Sequence, residues 1–299
     1  MNRHDILVVG GAGIDTIVRV PSLPLPVVDS IGVPPIRDYV AHTGNGVALG
    51  CHALGLKTKF IDFIGDDIEG RMILDRYRQT GLDFSYLLHE SGTRRSVNLV
   101  DNEGRRLSLY DARHPHSLRM PREFWLPFLR SARHAHFSIM PWACELYDDA
   151  IALGIPVSTD LHDWDGDNPY HREFALRSDL VFLSAANLGA RREAVMRDIL
   201  QRGRAKAVIV MAGGEGSSLL VRGEEQVQRF GCAELGRDIV DTNGAGDSFV
   251  SAFLYSWLDG KPFDACMKAG AISGAYACGC IGTHEEFITP ELLQRHAGV

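Results

Sequence analysis

The chain has 299 residues, of which 45% are hydrophobic and 23% are charged, and its formal net charge at pH 7 is −7. This balance is typical of a folded, soluble protein and disfavours nonspecific binding to nucleic acid or to an anionic membrane, which need a basic surface. No apolar run approaches the roughly 20 residues of a membrane-spanning helix. The six cysteines form neither a disulfide framework nor a metal-ligand pattern, which favours a reducing cytoplasm.

The first predicted strand is the apolar run 6–9, and the glycine-rich segment 10–13 follows it. A dinucleotide-binding fingerprint would need a glycine at the position of Thr16, and residues 17–21 are typical of another strand, not of a helix. A dehydrogenase is therefore disfavoured. Residues 22–39, rich in proline and valine without a helical period, predict strand and loop that leave the main sheet.

The next segments predict a helix and then a hairpin. The helix runs from Thr43-Gly44-Asn45-Gly46 to Leu54, and Gly55 closes it. Residues 96–100 and 107–110 alternate with a period of two around the turn Asn102-Glu103-Gly104, which indicates a β-hairpin. The arginines around this hairpin suit either a solvated strand face or a phosphate already on a substrate.

From residue 133 onward, short apolar runs alternate with helical segments, which is typical of a parallel sheet with helices on both faces. The strand candidates are residues 135–137, 155–157, 180–183 and 207–210. Asp160 follows the second of them, and we expect it in a cleft because ligands bind at the carboxyl ends of parallel strands. Gly213 and Gly216 follow the last one and suit either close approach to a ligand or a plain hairpin turn.

The segment Asp241-Thr242-Asn243-Gly244-Ala245-Gly246-Asp247 precedes a helix with two wide apolar stripes, which predicts that the helix is buried. Two glycines at its start leave bare backbone N–H groups at the positive end of the helix, and such a group of donors binds anions. Asp247 lies in the first turn, where it either caps the helix or takes a proton from a hydroxyl that attacks a phosphate. The chain has no GxxxxGK[ST] loop, so phosphate binding depends on residues 244–247.

This segment resembles the C-terminal signature of the PfkB (ribokinase-like) carbohydrate kinases, and the resemblance extends from Asp15 to the final helix. It implies one α/β domain over residues 1–299, a ribokinase-like three-layer sandwich with a mostly parallel central sheet between helices. It also implies a small β-sheet lid formed by segments of about 16–41 and 93–112. The implied reaction is transfer of the γ-phosphate of ATP to a hydroxyl of a sugar or sugar-like molecule.

The resemblance implies a role for each matching residue. Asp247 is the general base, and the backbone of Gly244, Ala245, Gly246 and Asp247 forms the anion hole. The residues expected to bind the substrate are Asp15, Gly44, Asn45 and, from its place after a strand, Asp160. The residues expected to contact the nucleotide are Asn187, Gly213, Gly216 and Asn243. Mg²⁺ bridges the phosphates, and a monovalent cation, K⁺, is expected near Asp241.

The chain departs from the family pattern at several positions. Thr43 replaces the first glycine of the N-terminal motif, Ala48 replaces its asparagine, and Asn243 replaces a threonine. Where the family has Asn-x-x-Glu, the chain has Ser184-Ala185-Ala186-Asn187, so the carboxylate is absent. Two alternatives stay open: a nucleoside kinase of the same fold, and a sugar-binding regulator without turnover. The resemblance also implies a homodimer formed through the lid.

Overall fold

A computed structural model describes residues 3–298 as an α/β fold with one large and one small sheet. The strands of the described residues, in chain order, are β1 (His4–Val9), β2 (Gly13–Arg19), β3 (Arg37–Ala41), β4 (Thr58–Ile64), β5 (Asp83–Leu88), β6 (Arg95–Val100), β7 (Arg106–Asp111), β8 (Ala132–Phe137), β9 (Val157–Asp160), β10 (Leu180–Ser184), β11 (Ala207–Met211), β12 (Ser217–Val221) and β13 (Gln228–Phe230). The helices are α1 (Thr43–Ala53), α2 (Ile68–Thr80), α3 (Arg122–Ser131), α4 (Leu146–Ala152), α5 (Pro169–Arg177), α6 (Arg192–Arg202), α7 (Ala245–Leu258), α8 (Phe263–Cys278) and α9 (Pro290–Ala297).

The large sheet has nine strands in the order β13-β12-β11-β10-β9-β8-β1-β4-β5, and the strands from β11 to β5 are parallel. Its central strands are continuous apolar runs because helices cover both faces. One apolar layer packs against α3, α4, α5 and α6, and the other packs against α1, α2, α7 and α8. The predicted three-layer architecture is therefore confirmed.

The structure moves the boundary of one predicted strand and decides between two interpretations of one turn. The strand predicted at 155–157 is β9, which begins at Val157 and ends at Asp160, because Pro156 has no N–H to donate to a neighbouring strand. The turn containing Gly213 joins β11 to the antiparallel strand β12, so it has the hairpin geometry that was one of its two interpretations. The small residues of α8 serve helix packing: a Cβ added at Gly270 would lie 2.8 Å from the Phe249 ring of α7.

The small sheet has the strand order β3-β2-β6-β7. Strands β2 and β6 are parallel, whereas β2–β3 and β6–β7 are antiparallel pairs. The predicted hairpin around Gly104 is confirmed as β6–β7. Within the segment expected at 16–41, the strands are β2, which already starts at Gly13, and β3, and residues 20–36 between them carry no strand.

A buried ion pair fastens the small sheet to the large one. Arg94, which precedes β6, pairs with Asp62 of β4, and both side chains are at most 2% exposed. The Asp62 carboxylate also accepts the N–H of Ala12 at 2.7 Å, and Arg94 Nε donates to the carbonyl of Ala12 at 3.1 Å. This pair therefore fixes the start of β6 and the turn that leads into β2 and Asp15.

Within residues 3–298 no helix is long and apolar enough to cross a membrane. All six cysteines lie in this range and are free thiols.

Candidate active site

The amino end of α7 lies at the carboxyl edge of the large sheet. Gly244 precedes the helix with φ of +77°, and no side chain of the described residues caps it. The first helical hydrogen bond runs from the N–H of Ser248 to the carbonyl of Gly244 at 3.0 Å, and the N–H of Ala245 has only a long contact, 3.4 Å, with the carbonyl of Thr242. The N–H groups of this turn therefore have no helical carbonyl to bind. A Cβ added at Gly246 would lie 3.7 Å from Met211, the last residue of β11. The helix dipole makes this end a favourable anion site.

Asp247 is not a helix cap. Its Oδ2 accepts a hydrogen bond from Nε2 of His284 at 2.8 Å, and its side chain is 16% exposed. The carboxylate therefore lies beside the bare amides and reaches the surface of the site, as a general base requires. Sequence reasoning missed His284, because the loop after α8 contains no pattern that points to α7.

Asn45 binds protein groups with its whole amide NH₂. Its Nδ2 donates to the carbonyl of Val40 and to Nδ1 of His284, each at 3.0 Å, and its Oδ1 accepts from the hydroxyl of Tyr77 at 2.8 Å. These bonds use both N–H groups of Asn45, so its sugar contact, which stays a prediction, would have to use Oδ1. Gly44 likewise serves close packing: a Cβ there would lie 1.8 Å from the carbonyl oxygen of Gly10.

Asp15 lies on β2, on the face of the small sheet that includes Ser96 and Tyr110, because these residues pair across the strands. Its Oδ1 lies 3.3 Å from Nε2 of His42, and the same nitrogen lies 3.2 Å from the Ser96 hydroxyl. Burial opposes ionisation of Asp15, but the surrounding polar groups, with His42 as the largest contributor, outweigh it and lower the pKa of this carboxyl below its ordinary value. An ionised carboxylate accepts hydrogen bonds from two hydroxyls.

Asp160 ends β9 at the same edge of the sheet, as predicted. Its Oδ1 accepts the N–H of His162 at 2.9 Å, and the His162 ring lies 3.2 Å from the hydroxyl of Thr43. Burial raises the pKa of the Asp160 carboxyl, and the negative charge of Asp247 raises it further. The carboxylates of Asp160 and Asp247 thus lie at the same edge of the large sheet, in different environments.

The predicted nucleotide residues lie farther along this edge. Gly213 and Gly216 have φ of +53° and +87°, and within the described part of the chain a Cβ at Gly213 would meet no atom within 4 Å. Asn187 is exposed, and its Nδ2 donates to the carbonyl of Asp163 at 2.7 Å. Contact of these residues with ATP stays a prediction.

Asp241 does not offer a free carboxylate to a monovalent cation. Its Oδ2 pairs with the guanidinium of Arg19, and its Oδ1 accepts the N–H of Asn243 at 3.0 Å and Nδ2 of Asn243 at 2.7 Å. Asn243 Oδ1 in turn accepts from Arg106 at 2.9 Å. The Arg19 guanidinium already places a positive charge beside the Asp241 carboxylate, and this charge repels a second cation at the same oxygen. K⁺ at Asp241 therefore does not fit this arrangement.

No group of three or more His, Cys, Asp and Glu side chains among residues 3–298 forms a metal site. In kinase sites Mg²⁺ is usually bound by one or two carboxylates together with substrate phosphates and water, so such a site does not need a cluster of three protein ligands.

Comparison with known proteins agrees with this geometry. Residues 174–290 match the family described as pfkB family carbohydrate kinase. The acarbose 7(IV)-phosphotransferase of Actinoplanes sp. strain SE50/110 is 44% identical over 299 residues, which cover 99% of this chain and 100% of that protein. The solved structure of a microbiome-derived acarbose kinase has 52% identity and a TM-score of 0.92, with 99% of each chain covered.

A ribokinase of Arabidopsis thaliana, solved with ribose and ATP, has 19% identity and a TM-score of 0.83 over 99% of each chain. At this identity the likeness shows the shared fold. The match to the phosphotransferase shows the family as well as the fold, because it spans the anion-site segment, the small sheet and the helices at 44% identity. The chain therefore belongs to the PfkB family of carbohydrate kinases, and its reaction is ATP-dependent phosphorylation of a sugar.

Proposed function

We propose that this kinase phosphorylates acarbose, or a pseudo-oligosaccharide of similar shape, at the hydroxyl that corresponds to position 7 of ring IV. The observation that carries the proposal is similarity over whole chains to two proteins that act on acarbose, at 44% and 52% identity. The ribokinase at 19% identity supports the fold without favouring ribose as the substrate.

The inner face of the small sheet supports a substrate rich in hydroxyls. Asn98 lies on the same face as Asp15, because it pairs with Ile17, two residues further along β2. Its side chain is buried, and its Oδ1 accepts no hydrogen bond from residues 3–298. A buried acceptor without a donor costs about 1–3 kcal/mol, and a sugar hydroxyl bound beside Asp15 would remove that cost.

The proposed mechanism uses the two features of the α7 turn. Asp247 accepts the proton of the attacking hydroxyl while that oxygen forms a bond to the γ-phosphorus and the bond to the bridging oxygen of ADP breaks. The amides of residues 244–247 donate to the oxygens of the transferring phosphoryl group, where negative charge is held in the transition state. Bound Mg²⁺ supplies further charge neutralisation to the phosphates.

The substrate is tested by ADP release from the full-length enzyme with ATP and Mg²⁺, using acarbose, ribose, fructose and adenosine at equal concentrations. We expect acarbose to give the highest kcat/KM and ring IV to carry the phosphate in the NMR spectrum of the product. A higher kcat/KM for adenosine would establish the nucleoside-kinase alternative. A higher value for ribose or fructose would contradict the acarbose proposal but leave sugar phosphorylation intact.

We also expect the activity to be independent of K⁺, because Arg19 already neutralises Asp241. Replacing K⁺ by tetramethylammonium should leave the rate of ADP release unchanged. Arg19→Met should lower that rate and make it respond to added K⁺, since the variant frees the carboxylate for a cation. Arg105→Met is the matched control, because Arg105 pairs with Asp101 at the hairpin turn and not with the α7 loop. A wild-type enzyme that needs K⁺ would contradict this expectation.

The predictions on cellular location and on oligomeric state remain proposals. The six free thiols and the use of ATP support a cytoplasmic location, which cell fractionation tests. The exposed side chains of Leu107 and Leu109 on the outer face of β7 support a homodimer through the small sheet, and light scattering that gives a monomer at micromolar concentration would contradict it.

A further inference from the structure

We infer that His284 is a positioning residue, which orients Asp247 through a chain of hydrogen bonds that begins at Tyr77 and Asn45. The chain leaves one oxygen of the carboxylate free to receive the proton of the substrate. This inference rests on the proposed role of Asp247 as the general base.

The hydrogen bonds of Asn45 determine the tautomer of His284. The carbonyl of Val40 can only accept a hydrogen bond, so the Asn45 atom 3.0 Å from it is the amide nitrogen Nδ2. The hydroxyl of Tyr77 then donates to Oδ1. The second hydrogen of Nδ2 faces Nδ1 of His284 at 3.0 Å. Nδ1 therefore accepts, which places the ring proton on Nε2.

The Nε2–H group of His284 then donates to Oδ2 of Asp247 at 2.8 Å. Because Oδ2 is engaged by the protein, Oδ1 remains as the acceptor for a substrate hydroxyl. The N–H of Asn45 faces Nδ1, so this nitrogen accepts a hydrogen bond while Nε2–H donates to Asp247. The Nε2–H donor fixes the rotamer of Asp247 and leaves Oδ1 as the acceptor that a base needs.

The backbone makes space for this contact at two glycines. A Cβ added at Gly46 would lie 2.3 Å from Nε2 of His284 and 2.6 Å from Cβ of Asp247. A Cβ added at Gly244 would lie 2.7 Å from Cδ2 of the same ring. His284 itself has φ of +61°, a conformation that residues other than glycine rarely adopt. Three separate elements, α1, the α7 turn and the loop after α8, thus converge on one imidazole.

Additional contacts hold the loop that carries the ring. Arg76 donates to the backbone carbonyl of His284 at 3.0 Å, and Phe287 stacks on the imidazole with ring centroids 6.0 Å apart. The His284 side chain is 1% exposed, compared with 16% for Asp247. The imidazole therefore approaches the carboxylate from the protein interior, and the substrate approaches from the exposed side.

The test compares His284→Leu with His284→Gln, because glutamine keeps an N–H donor close to the position of Nε2 and leucine does not. Misplacement of a reacting group by about 1 Å costs about 10²-fold in rate. We therefore expect His284→Leu to lower kcat by about 10²-fold, with KM for ATP and the melting temperature close to wild type. His284→Gln should recover most of the lost kcat.

His52→Leu is the matched control. This histidine also joins two helices, since its ring bonds the carbonyl of Thr80 at 3.0 Å, but it lies away from the site. We expect its kcat to equal that of the wild type. Each protein is assayed with whichever substrate the wild type phosphorylates fastest, so the inference does not depend on acarbose.

The outcomes separate this inference from the proposed function. If Asp247→Asn keeps wild-type kcat, the general-base assignment fails. If Asp247→Asn is inactive but His284→Leu keeps wild-type kcat, the positioning role of His284 fails alone. Equal losses in His284→Leu and His284→Gln, with a lowered melting temperature, would show a purely structural histidine and would also overturn the inference. A loss specific to His284→Leu, rescued by glutamine, supports it.

Discussion

Asp247→Asn is expected to lower kcat by about 10²–10⁴-fold, the usual contribution of a general base. The asparagine Oδ1 can still accept the Nε2–H of His284, so the fold and the binding of ATP should be retained. The change removes the proton acceptor while the backbone amides of the α7 turn stay in place. Steady-state ADP release and a thermal melt of the same sample measure the two effects.

Asp259→Asn, at the other end of α7, is the control for loss of a negative charge near this helix. Its side chain pairs with the exposed Lys261 and is itself exposed, so we expect no change in kcat. A folded Asp247→Asn enzyme with wild-type turnover would remove the base from the mechanism. The anion site would then have to act on a hydroxyl that loses its proton to water.

Arg94→Met is expected to lower the free energy of unfolding by about 3–5 kcal/mol, because it leaves the carboxylate of Asp62 buried without its counter-charge. In the wild type, burial and the Arg94 cation lower the pKa of neighbouring His114 to about 4, so Arg94 is the positive charge that Asp62 has beside it at pH 7. Denaturation by urea, followed by tryptophan fluorescence, gives the free energy.

Arg95→Met is the matched control, at the next residue, which begins β6. Arg95 pairs with Glu69, and the side chains are 36% and 20% exposed, so we expect a loss of about 0–1 kcal/mol. The double variant Asp62→Asn with Arg94→Met should recover part of the stability, since a neutral amide needs no counter-ion. Equal losses at positions 94 and 95 would contradict the assigned role of the buried pair.

The sequence was sufficient to predict the layers of the fold and the α7 turn. Apolar runs such as 180–183 and 207–210 are continuous because helices cover both faces of those strands. Each run consists of consecutive residues, so it can be recognised from a short stretch of sequence. The anion site at Gly244–Asp247 could be predicted for the same reason, since its glycines, amides and carboxylate are consecutive in the chain.

The rest of the site depends on pairs of residues far apart in sequence. His284 follows Asn45 by 239 positions, and Arg19 precedes Asp241 by 222. Whether Asn45 faces a sugar or a histidine is decided by what packs beside it, and no local pattern contains that information. The same reason explains why Asp241 was predicted to bind a cation when an arginine of the small sheet pairs with it.

The anchoring of the small sheet determines how it can move. Strands β2 and β6 run parallel, and both start beside the Arg94–Asp62 pair. Arg19 ends β2, and Arg106 of β7 pairs with Val100 at the end of β6, so both arginines lie at the far end of the small sheet. A tilt about the anchored end would displace the far ends most, and the contacts of Arg19 with Asp241 and of Arg106 with Asn243 oppose such a tilt. These contacts join the small sheet to the loop before the α7 turn, so Arg19→Met should raise hydrogen exchange at residues 241–243.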